Sequence, residues 1–152
     1  MTATIEMRQA VQSDACAVRQ LTREAYAKLI PVIGREPKPM NADYGTALLH
    51  HRIDLLYVDG ALVGLIETVD EGDQLLVENV AVAPEFQGRG LGAKLMAHAD
   101  DIARSRGHTR TRLYTNQLFA ENVELYLRLG FIIHDEKDVG AGTIRIDMSK
   151  DL

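Results

Sequence analysis

The segment VAVAPEFQGRGLG at residues 80–92 places three glycines within five positions, directly before an apolar helical pattern. Glycine loses more backbone entropy on folding than other residues and weakens a helix, so such a cluster needs a physical reason. One reason is close approach of the backbone to a phosphate, because the free N–H groups at a helix N-terminus bind anions. Another is a tight strand-to-helix turn without a ligand, since glycine is common in turns.

A dinucleotide-binding loop matches this segment by letter but not by context. Gly88, Gly90 and Ala93 fit the pattern G-x-G-x-x-A, which should close the first strand of a βαβ unit. Here the glycines follow a run of antiparallel strands in mid-chain, and residues 84–86 separate them from the nearest strand. A P-loop is excluded because no Gly-Lys-Ser/Thr follows. A pyrophosphate cradle of another kind and a plain turn both stay open.

The composition is that of an acidic globular protein. The chain has 152 residues, 46% apolar and 26% charged, which fits a single domain over 1–152. A formal net charge of −5 argues against a general nucleic-acid binder. The single cysteine and the spacing of the five histidines predict no metal site, and no apolar run reaches the roughly 20 residues that cross a bilayer. We therefore expect a cytoplasmic protein without nucleic-acid or membrane partners.

The first half of the chain predicts a short strand, two helices and then a run of strands. Apolar residues recur at helical spacing in the first helix, which Pro31 is predicted to stop. Asn41 is predicted to cap the second helix. Asp59-Gly60 between apolar runs indicates a two-residue hairpin. Three consecutive antiparallel strands are expected over 54–58, 61–69 and 74–82.

The second half alternates helices and strands. One helix carries an apolar stripe formed by Leu91, Leu95, Ala99 and Ile102. A strand, a helix closed by Gly130 and two final strands are expected over 111–115, 121–129, 131–134 and 143–147. The element order is β-α-α-β-β-β-α-β-α-β-β. It predicts an α/β (α+β) fold, a mixed and mostly antiparallel sheet with helices on both faces.

The same residues resemble the GNAT superfamily of N-acetyltransferases. QGRGLG at 87–92 matches that family's acetyl-CoA motif Q/R-x-x-G-x-G/A, and the strand VENVAVAPEF before it is similar to the family's fourth strand. NVELYLRLGF at 122–131 is similar to the family segment that carries an asparagine, a tyrosine and Gly-Phe. The predicted element order agrees with the GNAT fold along essentially the whole chain.

The resemblance implies acetyl-CoA as co-substrate and no metal. Its pantetheine arm would pair with the backbone of the strand before the glycines, at Val80, Ala81 and Val82. Its pyrophosphate would lie on the loop residues Gln87, Gly88, Arg89, Gly90, Leu91 and Gly92. Asn122 matches a family asparagine that contacts the cofactor, although an asparagine near a helix N-terminus also satisfies backbone donors.

The implied reaction is direct attack of an amine on the thioester, and Tyr126 matches the family's tyrosine acid. A phenol suits this role because its pKa is similar to that of a thiol. Packing in the core is the alternative for Tyr126. Glu78 resembles a glutamate that some members use as the base, with Glu67 and water as rivals and a solvent-facing ion pair as the alternative.

We expect an N-acetyltransferase acting on a primary amine of a small molecule or peptide. The alternative is a non-catalytic acyl-CoA binding or sensing module on the same fold. The acceptor pocket is expected near 30–45, where Arg35 is a candidate for binding a carboxylate, Tyr44 for an apolar wall and Met40 for packing. Dimers are common in the resembling family, so the resemblance leaves a homodimer open, and the sequence does not specify the oligomeric state.

Overall fold

The computed structural model describes residues 2–152 and builds them around one seven-stranded sheet. The strands lie in the order β1-β2-β3-β4-β5-β7-β6, and every neighbouring pair is antiparallel except β4 and β5. In chain order the elements are β1 Ile5–Gln9, α1 Ala15–Tyr26, α2 Ile30–Ile33, α3 Tyr44–His50, β2 Arg52–Val58, β3 Ala61–Asp70, β4 Leu75–Val82, α4 Leu91–Ser105, β5 Arg110–Asn116, α5 Ala120–Arg128, β6 Ile132–Asp138 and β7 Ile144–Asp151.

Helices cover both faces of this sheet, as the sequence predicts. A Cβ on Gly64 of β3 would meet Leu95 of α4 at 3.2 Å, which places α4 on that face. Asn79 of β4 bonds side chains of α1 and α3 instead, and its register partner Glu67 lies three residues from Gly64. Because side chains alternate along a strand, α1 and α3 pack on the face opposite α4. The α/β (α+β) fold is confirmed.

Local patterns explain the hairpin and the longest helix. Asp59 and Gly60 have φ of 50° and 82°, as a two-residue hairpin turn requires, and Val58 pairs with Ala61 across it. The predicted apolar stripe of α4 is buried at all four positions. Both predictions are confirmed because each depends on contacts that recur at short spacing along the chain.

Two helix boundaries differ from the prediction. Pro31 does not stop the helical segment, because it lies in the first turn of α2, where a missing N–H breaks no bond. The segment ends instead at Gly34, whose φ of 75° is left-handed. Asp43 rather than Asn41 caps α3, and its Oδ1 accepts from Thr46 N at 3.1 Å.

The middle of β4 marks where the sheet opens. Leu75, Leu76 and Val77 pair with β5, and the ladder ends there. At the same point the register against β3 shifts between Glu67 and Thr68, so that Glu78 is an extra residue in β4. From Glu78 onward β4 is paired on one edge only, and this opening positions the site.

Candidate active site

The gap between β4 and β5 exposes backbone groups that a sheet would normally pair. Ala83 N donates to Val63 O at 2.7 Å, so by alternation Ala81 also faces β3, whereas Val80 and Val82 face the gap. Val80 O accepts a weak bond from the Tyr26 hydroxyl at 3.3 Å, and Val82 O accepts from the Gln87 side chain at 2.9 Å. The gap-facing edge of β4 therefore suits an extended ligand that supplies its own hydrogen-bonding groups.

The glycine segment forms a concave loop at the N-terminal end of α4. Gly88 and Gly90 have φ of 79° and 80°, a conformation that side chains rarely adopt, and a Cβ at either would have no atom of residues 2–152 within 4 Å. Within that part of the chain, no protein acceptor bonds the amides of residues 88–93. Free amides at a helix N-terminus beside open space fit a pyrophosphate.

The side chains of this loop are held by the protein itself. The Gln87 side-chain amide accepts from Lys28 Nζ at 2.6 Å and donates to Val82 O, so it ties the loop to the turn after α1 and to β4. The Arg89 guanidinium lies 4.7 Å from the centre of the Phe86 ring and donates to Glu85 O at 3.1 Å. The backbone N–H of Gln87 donates to Pro84 O at 3.3 Å, so it is not free for a phosphate as predicted, while backbone binding roles for Arg89 and Leu91 stay predictions.

A cavity of about 710 Å³ continues from the gap toward α1, α3 and the 30–45 segment. Its wall brings together the two predicted catalytic residues, Glu78 and Tyr126, with Asn122 and Val80. The predicted acceptor segment also lines it, and the lining includes two of its three singled-out candidates, Arg35 and Tyr44. Arg35 bonds the Thr143 side chain across the cavity, and buried Met40 packs in the core as predicted.

Tyr126 of α5 is both packed and part of the cavity wall. Its side chain is buried, with the ring edge-on to Phe131 at a centroid distance of 6.0 Å. Burial raises the pKa of Tyr126 to about 12, so the phenol holds its proton at neutral pH. Asn122 lies one turn earlier and faces the same cavity. The sequence offered two alternatives for Tyr126, packing in the core or a place in the site, and the structure shows both: the side chain is buried and also lines the cavity.

Glu78 sits at the bulge where β4 leaves β5. The Tyr114 hydroxyl, from the first residue of β5 beyond the ladder, donates to Glu78 Oε1 at 3.0 Å. Burial, followed by the negative charge of Glu78, raises the pKa of Tyr114 to about 12. Glu78 is only half-buried, so its carboxylate remains accessible from the cavity.

Glu67 is the most enclosed carboxyl group of the cavity wall, with a side chain 5% exposed. Burial raises its pKa, while pairing with His51 opposes that rise. His51 Nδ1 lies 2.6 Å from Glu67 Oε2. The sequence assigned no role to the histidines, because this contact joins the residue between α3 and β2 to the middle of β3, and no local spacing signals it.

A second polar group that the sequence did not single out braces the site from α1. The Tyr26 hydroxyl donates to Asn79 Oδ1 at 2.8 Å, and burial raises the pKa of Tyr26 well above its usual range. Asn79 Nδ2 donates in turn toward Thr22 Oγ1 and the Tyr44 hydroxyl, at 3.3 Å and 3.2 Å. These bonds satisfy buried polar groups and fix the bulged part of β4 against α1 and α3.

Within residues 2–152, no three His, Cys, Asp or Glu side chains form a group that could hold a metal ion. No helix in that same range is long and apolar enough to cross a membrane.

Comparison with known proteins identifies relatives of this chain. The sequence profile described as Acetyltransferase (GNAT) family matches residues 17–131. Streptothricin acetyltransferase of Streptomyces lavendulae is 36% identical over 75 residues, which are 48% of this chain and 40% of that protein. Thialysine N-epsilon-acetyltransferase of Sus scrofa is 25% identical over 143 residues, or 84% of each chain. The first of these matches therefore spans less than half of its relative.

The fold itself recurs in solved structures. The PaiA N-acetyltransferase of Thermoplasma acidophilum, in complex with coenzyme A, superposes with a TM-score of 0.85 at 20% identity, over 98% of this chain and 99% of that one. At that identity the match shows a shared fold, in agreement with the family profile.

Proposed function

Because this chain belongs to the acetyltransferase (GNAT) family, we propose that it transfers an acetyl group from acetyl-CoA to a primary amine of a small molecule or peptide. The observation that carries the proposal is the gap between β4 and β5, which lies between a free amide cradle and a cavity. One end of the gap fits a pyrophosphate and the other fits an amine, so a thioester would lie between them.

The backbone supplies most of the proposed acetyl-CoA site. The free amides of residues 88–92 bind the pyrophosphate, whereas the predicted contact of Gln87 N is corrected because it donates to Pro84 O. The outward groups of Val80 and Val82 bind the pantetheine arm, whereas Ala81, also predicted from the sequence, faces β3. Asn122 contacts the cofactor from α5. The N–H of Val80 faces the gap and is the proposed hydrogen-bond donor to the negative charge that develops on the thioester oxygen.

Tyr126 is the proposed acid for the departing thiolate. Its protonated phenol lies at the cavity wall, in a buried position that excludes competing water. Burial raises the pKa of Tyr126 to about 12, above the ordinary thiol value of about 8.5, so transfer of its proton to sulfur is coupled to the return of a proton from the new amide nitrogen.

The acceptor site favours a cationic amine. Glu67 and Glu78 line the cavity, and each is hydrogen-bonded to a group other than Lys or Arg: the ring of His51 and the hydroxyl of Tyr114. The wall also carries Asp43, Arg35, Lys38 and Arg145, so the local charge decides: within residues 2–152 no Lys or Arg pairs with Glu78, and an ammonium group complements that charge. Glu78 is the accessible one and is therefore the proposed contact for the incoming amine. Among the candidate bases predicted from the sequence, Glu78, Glu67 and water, Glu67 is the least accessible to an acceptor.

The test is thiol release from acetyl-CoA with a panel of amines, including polyamines, amino acids, peptides and aminoglycoside-like cations. We expect at least one amine to raise thiol release well above the rate with acetyl-CoA alone, with the acetylated amine detected by mass. Binding of acetyl-CoA without acetylation of any class would instead favour a non-catalytic acyl-CoA sensing module.

A further inference from the structure

His51 presents a histidine–carboxylate pair to the cavity. The residue follows the last turn of α3, and its ring is 30% exposed, whereas its partner Glu67 is 5% exposed. Glu67 stands opposite Ile53 and Asn79 in the flanking strands, so the sheet holds it in place from both sides. A rigid carboxylate therefore orients an accessible imidazole at the wall of the proposed acceptor site.

The pairing determines which ring nitrogen is free. An ionised carboxylate only accepts hydrogen bonds, so Nδ1 carries the hydrogen that points at Glu67, and Nε2 keeps its lone pair. Within residues 2–152, no protein group bonds Nε2, and this atom is not among the buried ones. The same tautomer logic makes histidine a base when an aspartate or glutamate holds its far nitrogen.

Neither carboxyl group is placed as well to take a proton. The Glu67 side chain is only 5% exposed, and its Oε2 already contacts His51 Nδ1. Glu78 already accepts from the Tyr114 hydroxyl, and as an accessible anion it suits holding an ammonium group. The two side chains therefore suit different roles toward the acceptor: Glu78 suits binding of its ammonium group, and His51 suits removal of its proton.

We propose that His51, oriented by Glu67, is the base that deprotonates the acceptor amine; this inference rests on the proposed acetyl transfer. A nitrogen–hydrogen bond of the ammonium breaks and its proton bonds His51 Nε2. The freed amine lone pair bonds the thioester carbon, and the carbon–sulfur bond breaks with its electrons on sulfur. Tyr126 gives its proton to that sulfur and regains one from the new amide nitrogen. His51 passes its proton to water, so the products are amide, thiol and one proton.

Other ionisable groups around this cavity set the pH behaviour that must be separated from His51. They come from every element that borders it: Tyr26 of α1, Arg35 and Lys38 of the 30–45 segment, Asp43, Tyr44 and His50 at the two ends of α3, Glu78 of β4, Tyr114 of β5, Tyr126 of α5 and Arg145 of β7. His50 and His51 are both imidazoles of this wall, so His50→Gln is measured beside His51→Gln, and only the His51 variant should lose the effect of the proposed base.

The chain offers a matched control outside the cavity. His98 Nε2 of α4 lies 3.5 Å from Asp54 Oδ2, with side chains 28% and 3% exposed, which resembles the exposure of the proposed pair. His98 does not line the cavity. A general effect of removing a histidine beside a buried carboxylate would therefore appear in both variants, whereas an effect on proton transfer appears at His51 alone.

The experiment measures kcat, KM and their pH dependence with the amine found in the panel, together with acetyl-CoA affinity. We expect His51→Gln to lower kcat roughly 100-fold and to remove the rise of kcat with increasing pH, which is the ascending limb of the pH–rate profile. The control variant His98→Gln should keep kcat within about twofold of wild type.

Glu67→Gln keeps an acceptor for His51 Nδ1 but loses the negative charge, so the ascending limb of the pH–rate profile should move to lower pH. Glu78→Gln mainly raises KM for the amine. Added 4-methylimidazole should restore activity to His51→Ala but not to Glu78→Gln.

Nitrogen NMR of the wild-type ring gives a readout that needs no turnover. The neutral His51 ring should carry its hydrogen on Nδ1, and a hydrogen on Nε2 would overturn the inference. The inference that His51 is the base would be overturned by a wild-type rate in His51→Gln, or by loss of the ascending limb of the pH–rate profile in Glu78→Gln alone. Either result would leave the acetyltransferase proposal intact. A folded wild-type chain that acetylates no amine would overturn the proposed function and this inference with it.

Discussion

Strand β4 has two halves with opposite roles. Leu75, Leu76 and Val77 are apolar, buried and paired with strands on both sides. Beyond them, Glu78 and Asn79 are polar, and β4 keeps only its pairing with β3. One extra residue at the bulge and one lost partner are enough to convert a core strand into the edge of a site.

The polar half is nevertheless well supported. Asn79 reaches three hydroxyl groups on α1 and α3, so the bulge is fixed from one face of the sheet while its gap edge remains free. Fixed donors and acceptors of this kind need no reorganisation when a ligand arrives. The comparison teaches that β4 is open to a ligand where it loses its backbone pairing with β5, and that side-chain hydrogen bonds to α1 and α3 keep this open part rigid.

The largest predicted effect lies in the paired half. Leu113 of β5 is 2% exposed and stands opposite Val77. We predict that Leu113→Ala lowers the free energy of unfolding by about 2–5 kcal/mol, because a large buried side chain leaves a cavity. Tyr114→Phe, one residue further and past the ladder, should change it by about 1 kcal/mol or less. Urea unfolding measures both, and equal losses would contradict the division of the strand.

Tyr126→Phe tests the chemistry next to the open half. We predict that turnover falls at least about tenfold, because the proton donor for sulfur is removed while the ring still packs. Acetyl-CoA affinity should be retained. Tyr57→Phe is the control, since that hydroxyl bonds Arg8 on β1 and does not line the cavity. Steady-state kinetics decide, and unchanged turnover in Tyr126→Phe would remove this tyrosine from the mechanism.

Two glycines at opposite ends of β4 give a matched pair. Gly72 precedes the paired half with φ of 94° and Gly90 follows the open half with φ of 80°, and a Cβ at either would have open space around it. Alanine at each should weaken folding by roughly 1 kcal/mol. Only Gly90→Ala should weaken acetyl-CoA binding, by about tenfold or more, because its Cβ would meet the pyrophosphate.

Calorimetric titration of both glycine variants, beside unfolding curves, separates strain from binding. Equal affinities in Gly72→Ala and Gly90→Ala would mean that the loop is a turn and not a phosphate cradle.

The smallest predicted effect concerns stability and pH. Burial raises the pKa of Glu67 from its ordinary value of 4.5, so the folded protein binds that proton more tightly than the unfolded chain does. A raised carboxyl pKa contributes stability at low pH that is lost as pH rises through the folded value. We predict that Glu67→Gln gains stability relative to wild type between about pH 4 and about pH 8. Urea unfolding at both pH values measures the difference, and the opposite sign would mean that His51 pairing outweighs burial.

Local signals in the sequence predicted most of the fold. The Asp59-Gly60 turn and the α4 stripe depend on neighbours along the chain, and both are where they were expected. The cap of α3 moved from Asn41 to Asp43, because both residue types suit that role and only the packed structure chooses between them.

The site was predictable only in part. The glycine loop and Tyr126 carry short-range motifs, so the sequence was able to name them. The bulge at Glu78 and the contact between His51 and Glu67 depend on the register of three strands, which no spacing along the chain specifies. Register is fixed by long-range packing, and these groups therefore became visible only in the folded protein.

Calorimetric titration of the wild-type chain with acetyl-CoA tests the central claim most directly, with NADPH as the control ligand. Both ligands carry a pyrophosphate, but only acetyl-CoA has a pantetheine arm for the free edge of β4. We predict a micromolar Kd for acetyl-CoA and no binding of NADPH. A folded protein that gives no heat with acetyl-CoA, or that binds NADPH equally well, would contradict the claim that this gap is an acetyl-CoA site.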